Sequence, residues 1–516
     1  MRITHQKKVV VALMAGFVLL FACQRAPEAP QAKASGEALA KVYCASCHLC
    51  PKPSDLDYKS WQQHILPRMG QMLGIYQTPE ERQRLLGSTA ERAVVEQSGL
   101  YPEKARIGSE EWQAIQAFYL ENAPKQLTDT VTRQWPTTNF ALSIQPPGIQ
   151  LAPPSTTLTH FTKDGRLFIG DAHTKALYTF DQKGAFQGAA NVREGAVWME
   201  EKEQHYLLTV MGSFSPTDQA SGLLLALPKD ATSKTRILLK DLQRPVHHAS
   251  ADLNQDGLED LVICEFAKWT GGLAWWQQLP SGAYQKHVLR QRPGATKCYI
   301  RDLNQDERPD LIALFGQGDE GIFAYLNKGN GQFEERVLLR FPPSYGSSYF
   351  QLFDHNDDGR IDLLYTAGDN ADFPPILKPY HGIRIFEQRD DLQFQEVFFQ
   401  PMNGAYNAQA ADLDLDGDLD IAAISFFPNW EDKDEQSLLI LENTGSGKYT
   451  PSKLALPAGR WIVMDQGDPD KDGDVALVLG SLAFEVPGRS DLVNQWAEGG
   501  VPYILIENQA ADNQKK

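Results

Sequence analysis

The stretch DLNQDGLEDLVIC, residues 252–264, decides how the larger part of the chain is read. Acid and amide side chains alternate at 252, 254 and 256, glycine follows at 257, and Asp260 opens an apolar run rich in β-branched residues. The same order returns as DLNQDERPDLIAL from Asp302, DHNDDGRIDLLYT from Asp354, DLDLDGDLDIAAI from Asp412 and DPDKDGDVALVLG from Asp468. The spacings are 50, 52, 58 and 56 residues. A period of this size marks a repeat architecture. Asp-Gly turns that merely end strands would not hold nine positions in register so often.

The spacing has a chemical reason. Side chains at positions 1, 3 and 5 converge on one point. The carbonyl at 7 and the carboxylate at 9 complete an oxygen cage, and glycine at 6 permits the sharp turn. The expected ligands are Asp252, Asn254, Asp256, Leu258 and Asp260; Asp302, Asn304, Asp306, Arg308 and Asp310; Asp354, Asn356, Asp358, Arg360 and Asp362; and Asp412, Asp414, Asp416, Asp418 and Asp420. The fifth loop offers Asp468, Asp470, Asp472 and Asp474 but has Ala476 at position 9, and the second has Glu307 where glycine is wanted. Hard oxygen donors in this number select Ca2+, about four to five ions over five loops. An EF-hand is excluded. It needs Glu at position 12 and a helix beyond, and that position holds Ile263, Ala313, Tyr365 and Ala423, each in a strand-like run.

The pattern resembles FG-GAP/VCBS repeats, the calcium-loop repeats of integrin-α-like β-propellers, over about 145–508. The resemblance implies blades of four strands. In the first loop-bearing repeat these read as HHASADL, DLVICEF, GLAWWQQ and YQKHVLR, and turns such as LNKGNGQF and ENTGSGKY join the last two strands of a blade. About 52 residues per blade gives seven blades, within the usual range. Two earlier blades, HFTKDGRLFIGDAHTKALYTFD and AVWMEEKEQHYLLTVM, lack the loop, with Lys163-Asp164-Gly165 as a remnant. VPYILIENQ, 501–509, is expected as the closing strand. The propeller is assigned 146–510, behind a polar linker at 125–145. His247 and His248, in VHHASAD, are read as structural.

Upstream of the linker the texture is helical. GEALAKVYCASC, DYKSWQQHILPRMG, TPEERQRLLGSTAERAVVEQS and SEEWQAIQAFYLENAP carry helical patterns, the last with Ser109 as its N-cap and Trp112, Ile115 and Tyr119 on one face. Within this region, Cys44-Ala45-Ser46-Cys47-His48 matches C-x-x-C-H, the attachment motif of haem c. Two thiols three residues apart reach the two vinyl groups, and the adjoining histidine ligates the iron. A zinc site would need a second ligand pair, and a thioredoxin-type motif would need a preceding strand. The first and last helices resemble the crossed terminal helices of a small monohaem cytochrome c, at 36–124. For the sixth ligand Met69 is favoured, bracketed by Pro67 and Gly70 in a shaped loop, with Met72 and His64 as alternatives. Cys50 is read as a packed free thiol.

The N-terminus carries Arg2, Lys7 and Lys8 and then the apolar run VVVALMAGFVLLFA, ending at Cys23. This describes an export signal and resembles the bacterial lipoprotein signal. The resemblance implies cleavage after residue 22, lipidation of Cys23, and a short linker over 23–35. The formal charge of −17 argues against nucleic acid as a partner.

The fold class expected is therefore a small all-α cytochrome c domain followed by an all-β propeller, seven-bladed. The whole arrangement resembles a family of envelope VCBS-repeat proteins with an N-terminal cytochrome c. It implies a haem c electron-transfer lipoprotein of the cell envelope whose propeller docks an unidentified redox protein. Two other readings stay open: a propeller dehydrogenase or lyase acting on a sugar-like substrate, and an adhesion or glycan-binding propeller with the haem as redox sensor. No nucleophile–base pair was found for the enzyme.

Overall fold

A computed structural model describes residues 34–128, 134–230, 233–371, 375–432, 434–445 and 447–511. The expected signal peptide, 1–22, and Cys23 lie outside the described residues. No described helix is long and apolar enough to cross a membrane.

The larger part is a seven-bladed β-propeller, each blade a four-stranded antiparallel sheet. Blades 1 to 6 span 156–191, 196–242, 245–290, 295–340, 347–401 and 405–454, and each is built from consecutive strands. The second strands, such as Asp260–Glu265, Asp310–Phe315 and Asp420–Ser425, are buried at every residue. Both faces of these strands pack against neighbouring blades, so their sequences are continuous apolar runs rather than alternating ones. The fourth strands, such as Tyr284–Arg290, form the partly exposed rim.

Blade 7 departs from the expected closure. Its inner strands are Trp461–Gly467, Ala476–Ser481 and Tyr503–Asn508, and its outermost strand is Leu142–Gln145. Leu142 pairs with Asn508 and Gln145 with Leu505. The segment 501–509 therefore supplies the third strand. The ring is closed from the N-terminal side, by residues read as linker. Hydrogen bonding the two ends of the propeller together leaves no open seam. Trp135, also in that linker, is buried among residues of blades 5 and 6.

Seven apolar clusters hold the ring, one at each junction between blades. Between blades 5 and 6, for example, Leu364, Ile383 and Ile385 meet Ala408, Ile421 and Leu439, all buried.

The helical unit comprises α1 (Gly36–Tyr43), α2 (Tyr58–Ser60), α3 (Leu66–Met72), α4 (Pro79–Leu85), α5 (Thr89–Gln97) and α6 (Ser109–Asn122). Ser35 caps α1, its hydroxyl accepting from Ala38 N at 3.2 Å. A π-helical turn, Trp61–Ile65, joins α2 to α3. The pattern over 78–98 breaks into α4 and α5 at Gly87, which takes φ +80°. The N-cap of α6 is Gly108, one residue before the expected Ser109, and Gly108 N donates to Glu111 Oε2 at 3.0 Å. Helices α1 and α6 pack so closely that a Cβ on Gly36 would lie 2.1 Å from Ala114 O and 2.7 Å from Phe118 Cβ. Leu39, Ala40, Trp61, Leu66, Trp112, Ile115 and Tyr119 form the core between them. A last helix, α7 (Ser490–Gly499), lies between the second and third strands of blade 7.

The helical unit rests on the propeller face made by the loops between second and third strands. Tyr380 donates to Asp55 O at 2.6 Å, Glu91 accepts from Thr217 and Asp218, and Trp269 receives Arg68 and Tyr101 at 5.9 and 6.2 Å. The acidic loops join first to second strands, so the antiparallel topology puts them at the opposite face.

Candidate functional site

The Cys-x-x-Cys-His motif begins where α1 ends. Residues Cys44–Ser46 tighten into a 3₁₀ turn, which brings the motif to the edge of the α1–α6 core. Cys44 and Cys50 are half-buried against that core, Cys47 is exposed, and all three are unpaired. A hydrogen bond to Cys50, with burial, holds the Cys44 thiol well above its ordinary range. Cys50 Sγ lies 3.7 Å from Tyr119 Oη, which donates to Pro51 O at 2.9 Å. Cys50 is thus packed, beside Cys44.

His48 Nδ1 lies 2.9 Å from Leu49 O. As an N–H donor there it fixes the ring and leaves Nε2 as the lone-pair nitrogen, the second-shell arrangement of a metal-ligating histidine. Burial lowers the basicity of His48, and Asp319 and Arg340 of blade 4 act on it. The motif therefore sits at the junction with the propeller. Met69 packs on the same core as Cys44. The loop expected around it is instead helix α3, with Pro67 in its first turn and Gly70 against the Trp112 ring at 3.2 Å from an added Cβ. The helical run is continuous from Tyr58 to Met72, and Pro67, which has no N–H to donate, follows directly on its π-helical turn.

The donor set fits a haem c on these observations: two unpaired thiols at the required spacing, an imidazole already tied by Nδ1, and a thioether on the same core. Tyr119, which borders the cysteines, was read only as a core residue. Nothing in its spacing marks contact with Cys50.

The acidic loops share one backbone design. In the first, Asp252 accepts from Asp256 N at 3.1 Å and Gly257 N at 2.8 Å, Asn254 accepts from Asp256 N at 3.1 Å, and Asp256 accepts from Leu258 N at 2.9 Å. Asp260 is fully buried and accepts from Leu253 N and Gln278 N. The arrangement repeats from Asp302, Asp354 and Asp412. Glycine at position 6 takes φ between +79° and +102° in four loops, and Glu307 takes +63° in its place. Position 4 is left-handed as well, at Gln255, Gln305, Asp357, Leu415 and Lys471. No glycine marks that position in any of the five loops.

The loops differ in what faces their centres. Asn254, Asn304 and Asn356 donate to the position-5 carboxylates Asp256, Asp306 and Asp358 at 2.9, 3.0 and 3.4 Å. The Arg308 guanidinium also bonds Asp306. Where position 3 is Asp, that donor is gone. Oxygens of Asp412, Asp414 and Asp420 lie within 4.8 Å of one another, as do those of Asp468, Asp470 and Asp472. Burial and the neighbouring carboxylates push Asp420 up to about 7. The Asp468 loop lacks the ninth carboxylate. Its Asp474 instead accepts from Ala511 N at 3.1 Å and is pushed up, first by burial, to about 6.

His248 is fully buried and bonds Thr209 Oγ1 at 2.6 Å, the structural role expected of it.

Residues 302–365 match the sequence family described as FG-GAP-like repeat. Solved structures similar to this chain include the N-terminal domain of Nup159, at 11% identity over 73% of this chain and 99% of that one, TM-score 0.42. Virginiamycin B lyase from Staphylococcus aureus is also similar, at 11% identity over 71% and 99%, TM-score 0.45. A protein from Lactobacillus plantarum matches at 13% identity over 60% and 88%, TM-score 0.41. None of these likenesses is close enough to bear on what this chain does.

Proposed function

We propose that this chain is a haem c electron-transfer protein whose seven-bladed propeller carries calcium in its acidic loops and offers the surface for a redox partner. The observation that carries the reading is the Cys44-Ala45-Ser46-Cys47-His48 motif, with His48 held through Nδ1, at the edge of a core closed by the α1–α6 crossing. Cys44 and Cys47 would hold the haem as thioethers, and His48 Nε2 and Met69 would ligate its iron. Bound there, the haem supplies a one-electron iron couple. A soft thioether ligand raises its potential. Asp319 and Arg340 place charged groups of blade 4 beside His48, so the propeller contributes to the polarity around the motif.

Calcium would bind at the opposite face. The loops hold their carboxylates by backbone amides before any ion arrives, which lowers the ordering cost of binding. Lipidation at Cys23 would tether the whole to the cell envelope.

A potentiometric titration of the matured full chain tests the redox reading. One one-electron wave is expected, shifted to lower potential by Met69→Ala and not by Met72→Ala. A shift with Met72→Ala alone would move the ligand to that residue. A protein with no redox-active band would end the reading.

A further inference from the structure

Blades 3 and 4 enclose a group of soft donors that neither the helical unit nor the acidic loops use. His247 lies on the first strand of blade 3, Pro245–Ala251, and pairs in register with Cys264 on the second strand. Cys298 lies on the first strand of blade 4, Ala295–Arg301. One potential ligand atom from each of the three lies within 4.8 Å of the other two. Cys298 Sγ is 3.7 Å from His247 Nδ1. Relative exposures are 5% for His247, 0% for Cys264 and 1% for Cys298. Both thiols are unpaired, and His247 Nε2 is buried with no hydrogen-bond partner.

Single buried cysteines act as small hydrophobes, and several equivalent positions of the repeat are apolar. Cys264 corresponds to Leu314, Thr366, Ile424 and Gly480, and Cys298 to His248, Phe350, Ala408 and Met464. The only two cysteines of the propeller sequence, however, fall at the same junction and share one imidazole. Trp198 packs against that imidazole with centroids 4.2 Å apart and the rings tilted by 32°. Val262, Leu273, Ala313 and Phe315 surround the thiols.

We infer that Cys264, Cys298 and His247 form a closed three-ligand site for a thiophilic d10 cation, copper(I) in preference to zinc. Two thiolates and an imidazole are soft donors of the kind that select copper(I). Among the described residues no fourth His, Cys, Asp or Glu joins the group, whereas structural zinc is held by four ligands. Binding is not a redox step: copper(I) enters, the two thiols lose their protons to solvent, and two Cu–S bonds form. The site stands whether or not the haem reading does.

The test uses the full chain carrying Cys23→Ala, Cys44→Ala, Cys47→Ala and Cys50→Ala, so that only two thiols remain. Titrated anaerobically against the copper(I)–bicinchoninate complex, it should withdraw one equivalent of copper and gain near-ultraviolet thiolate-to-copper absorption. Excess zinc should not displace the copper. Adding His247→Leu or Cys298→Ser should weaken retention by about tenfold or more. The stoichiometry of the starting protein decides even if those variants fail to fold. Failure to take copper from the complex, displacement by zinc, or a Cys264–Cys298 disulfide in unreduced peptides of the wild-type chain would overturn the inference.

Discussion

The propeller and the helical unit are stabilised on different scales. The propeller has seven junctions, each with its own buried cluster, and a ring closed by Leu142–Gln145. No single junction carries the fold. The helical unit has one main core of nine buried side chains, together with a small satellite around Leu86, Val95 and Tyr101. A unit of this size buries a smaller fraction of its surface than the larger propeller does. It leans on the propeller through Tyr380, Trp269 and Glu91, and its core is bordered by the cysteines and Met69, side chains suited to hold a cofactor. Repetition secures one region, and a ligand would secure the other.

The largest expected effect separates the two directly. Cys44→Ala with Cys47→Ala should abolish covalent haem and lower or erase the melting transition of the helical unit, while the propeller transition stays in place. Calorimetry of the matured protein reads both. A helical transition that ignores the haem would break the comparison. The complementary change is Leu364→Ala, which opens a cavity at the junction of blades 5 and 6. It should cost about 2–5 kcal/mol, lower only the propeller transition and leave the haem spectrum unchanged.

Within the propeller, the loops sharpen the comparison further. Calcium that bound the folded loops and not the unfolded chain would add about 2.7 kcal/mol per filled site at a free concentration of 100 Kd. Asp412→Ala should remove more of the calcium-dependent rise in Tm than Asp468→Ala, and Ala476→Asp should increase that rise. The Asp302 loop, with Arg308 on Asp306, should respond least among the four complete loops. A Tm indifferent to calcium and to chelator would end the calcium reading without touching the fold.

A further effect is one of pH. Glu320 is buried between blades 4 and 5, accepts from Ser347 N and Oγ, and is pushed by burial up to about 8. Its folded pKa thus lies above the unfolded value of about 4.3. Between those values the folded state holds a proton that the unfolded state does not, so stability falls as pH rises through that window. Glu320→Gln should flatten the decline in propeller Tm between pH 5 and about 8. An unchanged slope would place the decline elsewhere.

What could be read from the sequence follows the same division. The propeller was legible because its loop chemistry recurs: the backbone of the turn hydrogen-bonds to the Asp carboxylates at positions 1, 5 and 9. Blade number followed from the period. The closing strand was not legible. Leu142–Gln145 is four residues long, carries no turn signal, and is a strand only because Asn508 to Leu505 lie beside it. Trp135 was hidden in the same way, as was the group of His247, Cys264 and Cys298, which register and blade packing bring together from three strands. In the helical unit the five-residue motif was legible as chemistry. The surroundings of Met69 were not, since Pro67 and Gly70 read as loop formers while Pro67 lies within a helical run just after a π turn and Gly70 makes room for Trp112.

The central claim is that Cys44 and Cys47 hold a haem covalently. Acid–acetone extraction of the full chain, purified from the envelope of a host that matures c-type cytochromes, tests it most directly. The account predicts that the haem stays with the polypeptide, gives the pyridine haemochrome band of a haem with two thioethers, and persists in Cys50→Ala. Haem that passes into the acetone, or a haem-free protein whose Cys44 and Cys47 alkylate as free thiols, would contradict it.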